Sequence, residues 1–412
     1  YGEFREGVRN YYRQHHPLTS EARRDPLLNP GEGAVSGLTH PPNVALAVIE
    51  QMLHFARLSG QLTVRFQRRP IAVETDGDTA RAVTLERLED GVTETVEGTY
   101  VLDATEMGEL LPLAGAEYGI GAESHKETGE PSALPEANPD AEQAVSWCFP
   151  IGYDRRPGAD HTISRPDQYT FWRNRVPPTE PAWPGPTLSW KKSAPWTLEP
   201  EEGDFVPEAP SGTQWCFRRI ITRKHYPAEL APEEVTLVNW PQIDYTLGRL
   251  TDQPQDVYQQ HRTNAKQQSL SFLYWLQTEA PRHDGGQGYP ELRPRPDLVG
   301  TEDGMAKEPY IREGRRIHAM FTVTENHVST EAQGGYPVFP GHRPEQPATL
   351  RSEYFYDSVG IGCYRIDLHP DTAGRNYLDL SALPFQIPLG ALIPQRMENL
   401  LPAGKNIGTT HI

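Results

Sequence analysis

Proline does most to limit what this chain can fold into. Forty of the 412 residues are proline, roughly twice the average usage of about 5%. Each one removes a backbone donor and fixes φ near about −65°. An all-helical bundle and a fully regular sheet are therefore excluded, and long structured loops are expected. Bulky core material is present all the same, with 8 Trp, 18 Tyr and 12 Phe, which excludes a chain disordered throughout. Chains divide into units of roughly 100 to 200 residues, so two domains are expected.

Charge narrows the partners. Lys and Arg total 39 against 56 Asp and Glu, a net charge of −17, and such a surface repels phosphate backbones and anionic lipid. Nucleic acid and membranes are not expected as partners; a small organic molecule is. Cys148, Cys216 and Cys363 form no C-x-x-C pair, and the 14 histidines show no H-E-x-x-H, so no metal site is expected. Three isolated cysteines suit a reducing, cytoplasmic setting. No apolar run approaches the ~20 residues of a membrane span. The chain opens on Tyr1 rather than Met and closes on Ile412. It is read as a piece of a longer polypeptide, which leaves an upstream signal peptide open. Oligomeric state is not legible.

Periodicity organises the rest. After a turn-rich stretch to residue 42, "NVALAVIEQMLHFARL" places Val44, Ala45, Val48, Ile49, Met52, Leu53 and Ala56 on so broad a stripe that a largely buried helix is expected. Pro41 and Pro42 suit its first turn and Gly60 its end. The period then switches to that of strands: "LTVRF", followed by a three-stranded antiparallel meander through "PIAVETDGD", "ARAVTLERLEDG" and "VTETVEG". In "TYVLDATEMGELLPLAG" a strand enters a polar turn and a helix near Met107. The acidic, proline-rich segment 123–142 is expected to cross between domains. Beyond it, "VSWCFPIGY", "TQWCFRRII", "VTLVNWPQIDY", "RIHAMFTVTENHV" and "YDSVGIGCYRIDLH" predict an antiparallel sheet. One long helix is expected between a cap at Asp252 and a stop at Pro281. Loops 281–300 and 331–348 are long enough to cover a site. In "NLLPAGKNIG", a short strand ends in a turn whose Gly404 and Gly408 are expected to leave amides open to a ligand.

Taken together, the helix, strand, meander and strand ending in "DATE", with "NLLPAGKNIGTTHI" at the far end, resemble the FAD-dependent oxidoreductases that carry a glutathione-reductase-type FAD domain. The closest likeness is to a bacterial set with D-A-T-E-x-G-E-L-L-P-L-A-G and L-P-A-G-K-N-I-G-T-T-H signatures. "FLYWLQTEAPR" and "YRIDLHP" extend the likeness over nearly the whole chain. The resemblance implies an α/β fold: an FAD/NAD(P)-binding Rossmann-like domain, incomplete at both ends, from residues 1–122 and 385–412. Inserted into it, residues 123–384 form a substrate domain with an antiparallel sheet and one long helix. It further implies FAD as cofactor and hydride transfer from an organic substrate to flavin N5.

By the same resemblance, Asp103, Ala104 and Thr105 lie beside the cofactor's phosphate and ribitol, and Glu106 near the site mouth. Ala403, Gly404, Lys405, Asn406, Gly408, Thr409 and Thr410 line its other side. His411 is the proton-transfer candidate, imidazole being the ring that titrates near neutral pH. Tyr364 and Arg365 are placed toward substrate, Arg being a natural carboxylate clamp. One departure stands out. The family's G-x-G-x-x-G turn, its ribose-binding acid and its closing helix are absent from these 412 residues, which is expected to weaken FAD binding by this piece alone.

Blander readings compete. Asp103 or Thr105 serves equally as a helix cap, Cys148 as a core residue, and the tryptophans from Trp172 to Trp196 as packing. A different class of protein also stays open: a sheet-rich carbohydrate-binding or carbohydrate-cleaving chain, with Asp244 and Glu302 as paired carboxylates and Trp240 as a sugar platform. A catalytically inactive scaffold is the third reading.

Overall fold

The proline load shows in element length. The computed structural model describes residues 1–412 and is a mixed α/β chain in which no sheet exceeds four strands. Helix α1 (Gly2–His15) packs through Val8 and Tyr12 against Leu28, Tyr226, and the Val44 and Val48 of α2 (Pro42–Leu58). Gly60, at φ 73°, follows α2 as expected. The burial of α2 does not follow expectation: only Val44 and Val48 are buried, while Ile49, Met52 and Leu53 are exposed and Phe55 and Leu58 are 77% and 75% exposed. The apolar stripe is wider than the strip that α1 and Tyr226 cover. A stripe states what a helix can bury, and its neighbours decide what is buried.

Residues 62–66 form no strand, because "LTVRF" finds no partner. The meander begins at β1 (Arg68–Asp76) and continues through β2 (Thr79–Arg87) and β3 (Thr93–Glu97), all antiparallel, with Gly77 at φ 59° in the first turn. Strand β4 (Val101–Asp103) follows, then a helical turn, α3 (Leu110–Leu113).

The central segment is built on β5 (Val145–Ser146), β6 (Phe149–Tyr153), β7 (Arg219–Ile221), β8 (Val235–Val238), β9 (Asp244–Tyr245), α4 (Gln255–Thr278) and β10 (Leu292–Pro294). Strands β7, β8, β6 and β10 form the four-stranded antiparallel sheet in that order, and β9 pairs with β5. Helix α4 buries Phe272, Leu273, Trp275 and Leu276 in the largest apolar cluster, with Trp190, Trp215 and Trp240. Its cap is Pro254, not Asp252, whose carboxylate is drawn instead to Arg315 at 2.8 Å. "TQWCF" is a helical turn at Gln214–Phe217, and "TENHV" another at Glu325–Val328, capped by Thr324. The segment 123–142 is not a solvated linker. Glu130 and Glu142 are buried, and the Glu142 carboxylate accepts the amides of Leu250 and Thr251.

Toward the end come the hairpin β11 (Ile366–Leu368) and β12 (Leu378–Leu380), then β13 (Leu400–Pro402). Strand β13 pairs in parallel with β4, Leu400 opposite Val101 and Pro402 opposite Asp103, and β4 has no partner on its other edge. Asn399 ties this pair to the meander: its side chain accepts from the Ala80 amide and donates to the Ala80 and Thr99 carbonyls at 2.8–2.9 Å. Ala80, Leu111, Ile317, Met397 and Leu400 form the cluster beneath. No helix is long and apolar enough to cross a membrane.

Candidate active site

In parallel sheets, ligands bind outside the carboxyl ends of the strands. The carboxyl ends of β4 and β13 lie side by side here, because Asn406 Nδ2 donates to the Asp103 carbonyl at 3.0 Å while its Oδ1 accepts the Gly404 amide at 3.1 Å. Asp103 acts as a local cap. Its buried carboxylate accepts the Thr105 amide, the Thr105 hydroxyl and the Leu110 amide, at 3.0, 2.5 and 3.2 Å. Burial pushes this carboxyl above its usual range, against the pull of those hydrogen bonds. Thr105 in turn accepts the Glu109 amide. The exposed residues at this end are Ala104, Glu106, Ala403 and Gly404. The amides of Ala104, Glu106, Lys405 and Asn406 have no acceptor in the chain. Lys405 and Glu106 form an ion pair across the two turns. The paired strand ends therefore offer unpaired N–H donors beside the Lys405–Glu106 pair, a donor set suited to an electron-rich edge.

The open donors are not the expected ones. The Gly408 amide donates to Ala391, and a Cβ there would come within 2.5 Å of Ala319 and of the Phe321 carbonyl. Gly408 thus allows close packing against residues 319–321. Thr409 forms a parallel bridge with Val323, and Thr410 donates to Glu130 Oε1 at 2.5 Å. His411 is buried, its Nδ1 2.9 and 3.0 Å from the two oxygens of Glu313, and its Nε2 has no partner. Burial alone would raise the Glu313 carboxyl; His411 and Arg316 outweigh it and hold it below the usual range. A carboxylate-held imidazole with a free second nitrogen can hold or pass a proton. The structure thus brings Asp103–Glu106 together with Ala403–Asn406, and carries Gly408–His411 away into a buried ionic cluster.

Tyr364 lines a polar cavity with His369, while Arg365 is committed to Asp379 and to the Val338 carbonyl in the loop 331–348. The other long loop, 281–300, belongs to the core through Tyr289 and β10. Burial pushes the Cys148 thiol up to about 12, which leaves it inert. The carbohydrate reading loses its residues: Trp240 is 1% exposed, Glu302 lies on the surface, and Asp244 is bound to Arg312 and His369. Trp172, Trp183 and Trp190 are core packing. Arg218, Arg312 and His369, which share the Tyr364 cavity, were not singled out in the sequence, where no local spacing connects them.

No curated protein and no solved structure matches the chain. The family model described as FAD dependent oxidoreductase matches residues 1–412, and the chain belongs to that family of FAD-using enzymes.

Proposed function

We propose that the chain oxidises a small organic substrate by hydride transfer to flavin N5, with FAD held at the carboxyl ends of β4 and β13. One observation carries this reading: the Asn406–Asp103 bond draws the two strand ends together, and four amides around it lack acceptors. Those residues fit the flavin end of the cofactor. The G-x-G-x-x-G turn that would hold a pyrophosphate is absent from the 412 residues. When bound, FAD supplies the two-electron redox chemistry, which no side chain here provides. The amides of Lys405 and Asn406, with Lys405 itself, would stabilise negative charge on a flavin edge held against them. His411, oriented by Glu313, is placed to hold a proton.

The division into 1–122 with 385–412, and 123–384, is supported by the β4–β13 pair, while the cluster beneath that pair draws Ile317 and Ala319 from across it. Packing of residues 4–48 on Tyr226 runs across that division. The free thiols Cys148, Cys216 and Cys363 favour a reducing cytoplasmic setting. The test is spectroscopic. The full-length polypeptide should purify with a flavin absorbance and release FAD on denaturation; a colourless protein that neither retains nor takes up FAD sinks the reading.

A further inference from the structure

A second polar centre lies between the β5–β9 pair and the β11–β12 hairpin. Asp244, with a side chain 4% exposed, accepts from Ser146 Oγ at 2.6 Å, from Arg312 Nη2 at 3.0 Å, and from His369 Nδ1 at 2.6 Å. Burial raises this carboxyl, but Arg312 and His369 outweigh burial and hold it at about 2. It is therefore a carboxylate, and the His369 Nδ1 is the donor. Nδ1 is thus taken by Asp244, and Nε2 is the ring nitrogen left without a hydrogen-bond partner in the chain. Its nearest ion-pair candidate, Asp367 Oδ1, is 4.0 Å away, beyond hydrogen-bond reach.

His369 lines a cavity of about 220 Å³ together with Gln143, Arg218, Tyr310, Arg312, Tyr364 and Asp367. This is below the roughly 300–1,000 Å³ of drug-sized sites, so the ligand is small. The two arginines differ. Arg312 is committed to Asp244, Ser146 and the Ala144 carbonyl. Arg218 donates only from Nε, to the Asn239 carbonyl at 3.0 Å, and its terminal nitrogens have no acceptor in the chain. An open guanidinium fork in a polar cavity matches a carboxylate. The cavity also connects to the C-terminal segment: the His369 amide donates to Gln143 Oε1, and the Gln143 amide donates to Glu313, the partner of His411.

We propose that this cavity binds a small 2-hydroxy carboxylate, its carboxylate on Arg218 and its hydroxyl on Nε2 of His369, with Asp244 as the residue that positions the ring. The chemistry rests on the oxidoreductase reading. His369 Nε2 would take the hydroxyl proton, and FAD, when bound, would supply the two-electron acceptor for the electron pair of the C–H bond as the C–O bond becomes a carbonyl. The products would be a 2-oxo acid, the reduced flavin and the proton held at His369.

The test is calorimetric titration of the full-length protein with glycolate, lactate and mandelate, alongside propionate, lactamide and alanine, with flavin content measured on the same preparation. At least one hydroxy acid should bind, and lactamide and alanine should not. Arg218→Gln should weaken binding roughly ten- to a hundredfold, the worth of a charge-assisted hydrogen bond. Arg218→Lys, which keeps the charge without the fork, should weaken it less and serves if the Gln variant fails to fold. His369→Asn should bind lactate and propionate alike. Asp244→Asn should shift the His369 ring ¹⁵N signals, because the acceptor at Nδ1 loses its charge. The proposal is overturned if no hydroxy acid binds a flavin-containing protein, if Arg218→Gln or Arg218→Lys binds as tightly as the wild type, or if lactamide or alanine matches lactate. Hydroxy-acid binding by a preparation without flavin supports the cavity's ligand and overturns the redox role alone.

Discussion

Replacing Asp244 by Asn separates charge from shape at a buried centre. The folded carboxyl sits at about 2 against an ordinary 3.8. A pKa depressed by folding stabilises the folded state above the unfolded value, and the contribution is lost as pH falls from about 4 through about 2. At roughly 1.4 kcal/mol per pH unit, a gap of this size is worth ~2 kcal/mol at pH 7. Linkage leaves about half of it at pH 3 and little at pH 2. The substitution leaves Arg312 without its counter-charge, as protonation of Asp244 does in the wild type, so this loss is the linkage gap itself and is not added to it. The variant should therefore be ~2 kcal/mol less stable than the wild type at pH 7, and that deficit should shrink by about half at pH 3. Urea unfolding followed by the fluorescence of buried Trp172, Trp215 and Trp240 reads both quantities. A deficit that stays constant between pH 7 and pH 3 refutes the reasoning.

Four further outcomes are expected. Gly408→Ala places a methyl 2.5 Å from Ala319 and the Phe321 carbonyl, so it should cost ~1–3 kcal/mol through overpacking; an unchanged melting temperature contradicts this. Asn399→Leu removes three buried hydrogen bonds to Ala80 and Thr99, about 3 kcal/mol in all, and should speed hydrogen exchange at the Ala80 amide. Lys405→Gln breaks a half-exposed pair, so stability should move by less than ~0.5 kcal/mol while the bound flavin's reduction potential falls; an unmoved potential removes Lys405 from the flavin's surroundings. Phe55→Ser, on the exposed face of α2, should likewise stay within ~0.5 kcal/mol, and a loss of several kcal/mol in the melting curve would show that face to be covered.

What the sequence made legible was local. The meander, the end of α2 and the reach of α4 all follow from period and turn residues within a few positions, and the structure reproduces them. The likeness of "DATE" and "LPAGKN" to strand ends beside a cofactor matches the parallel pairing of β4 with β13. Illegible features depended on what other segments supply. The α2 stripe looked buried because periodicity counts apolar residues and cannot count the neighbours that cover them. Asp252 looked like a cap until Arg315, 63 positions away, took its carboxylate. The glycines of the C-terminal turn looked open because sequence cannot show that Ala391 would accept one amide and Asn406 the other. The Asp244–His369 pair spans 125 positions, with Arg218 and Arg312 entering from separate segments. No motif joins them.

The bond from Asn406 to Asp103 closes a loop of 303 positions. Closing a loop of that length costs ~5 kcal/mol in chain entropy, against ~2 kcal/mol for one of ten residues. The two strands can meet cheaply only after the segment between them has collapsed and brought its ends together. During synthesis at ~5–20 residues per second, β4 waits ~15–60 s for its partner. The central sheet and α4 are thus expected to fold first, and the strand ends that form the candidate active site to assemble last. A substitution in the central core, far from that crevice, would then reveal itself as slow or incomplete acquisition of flavin.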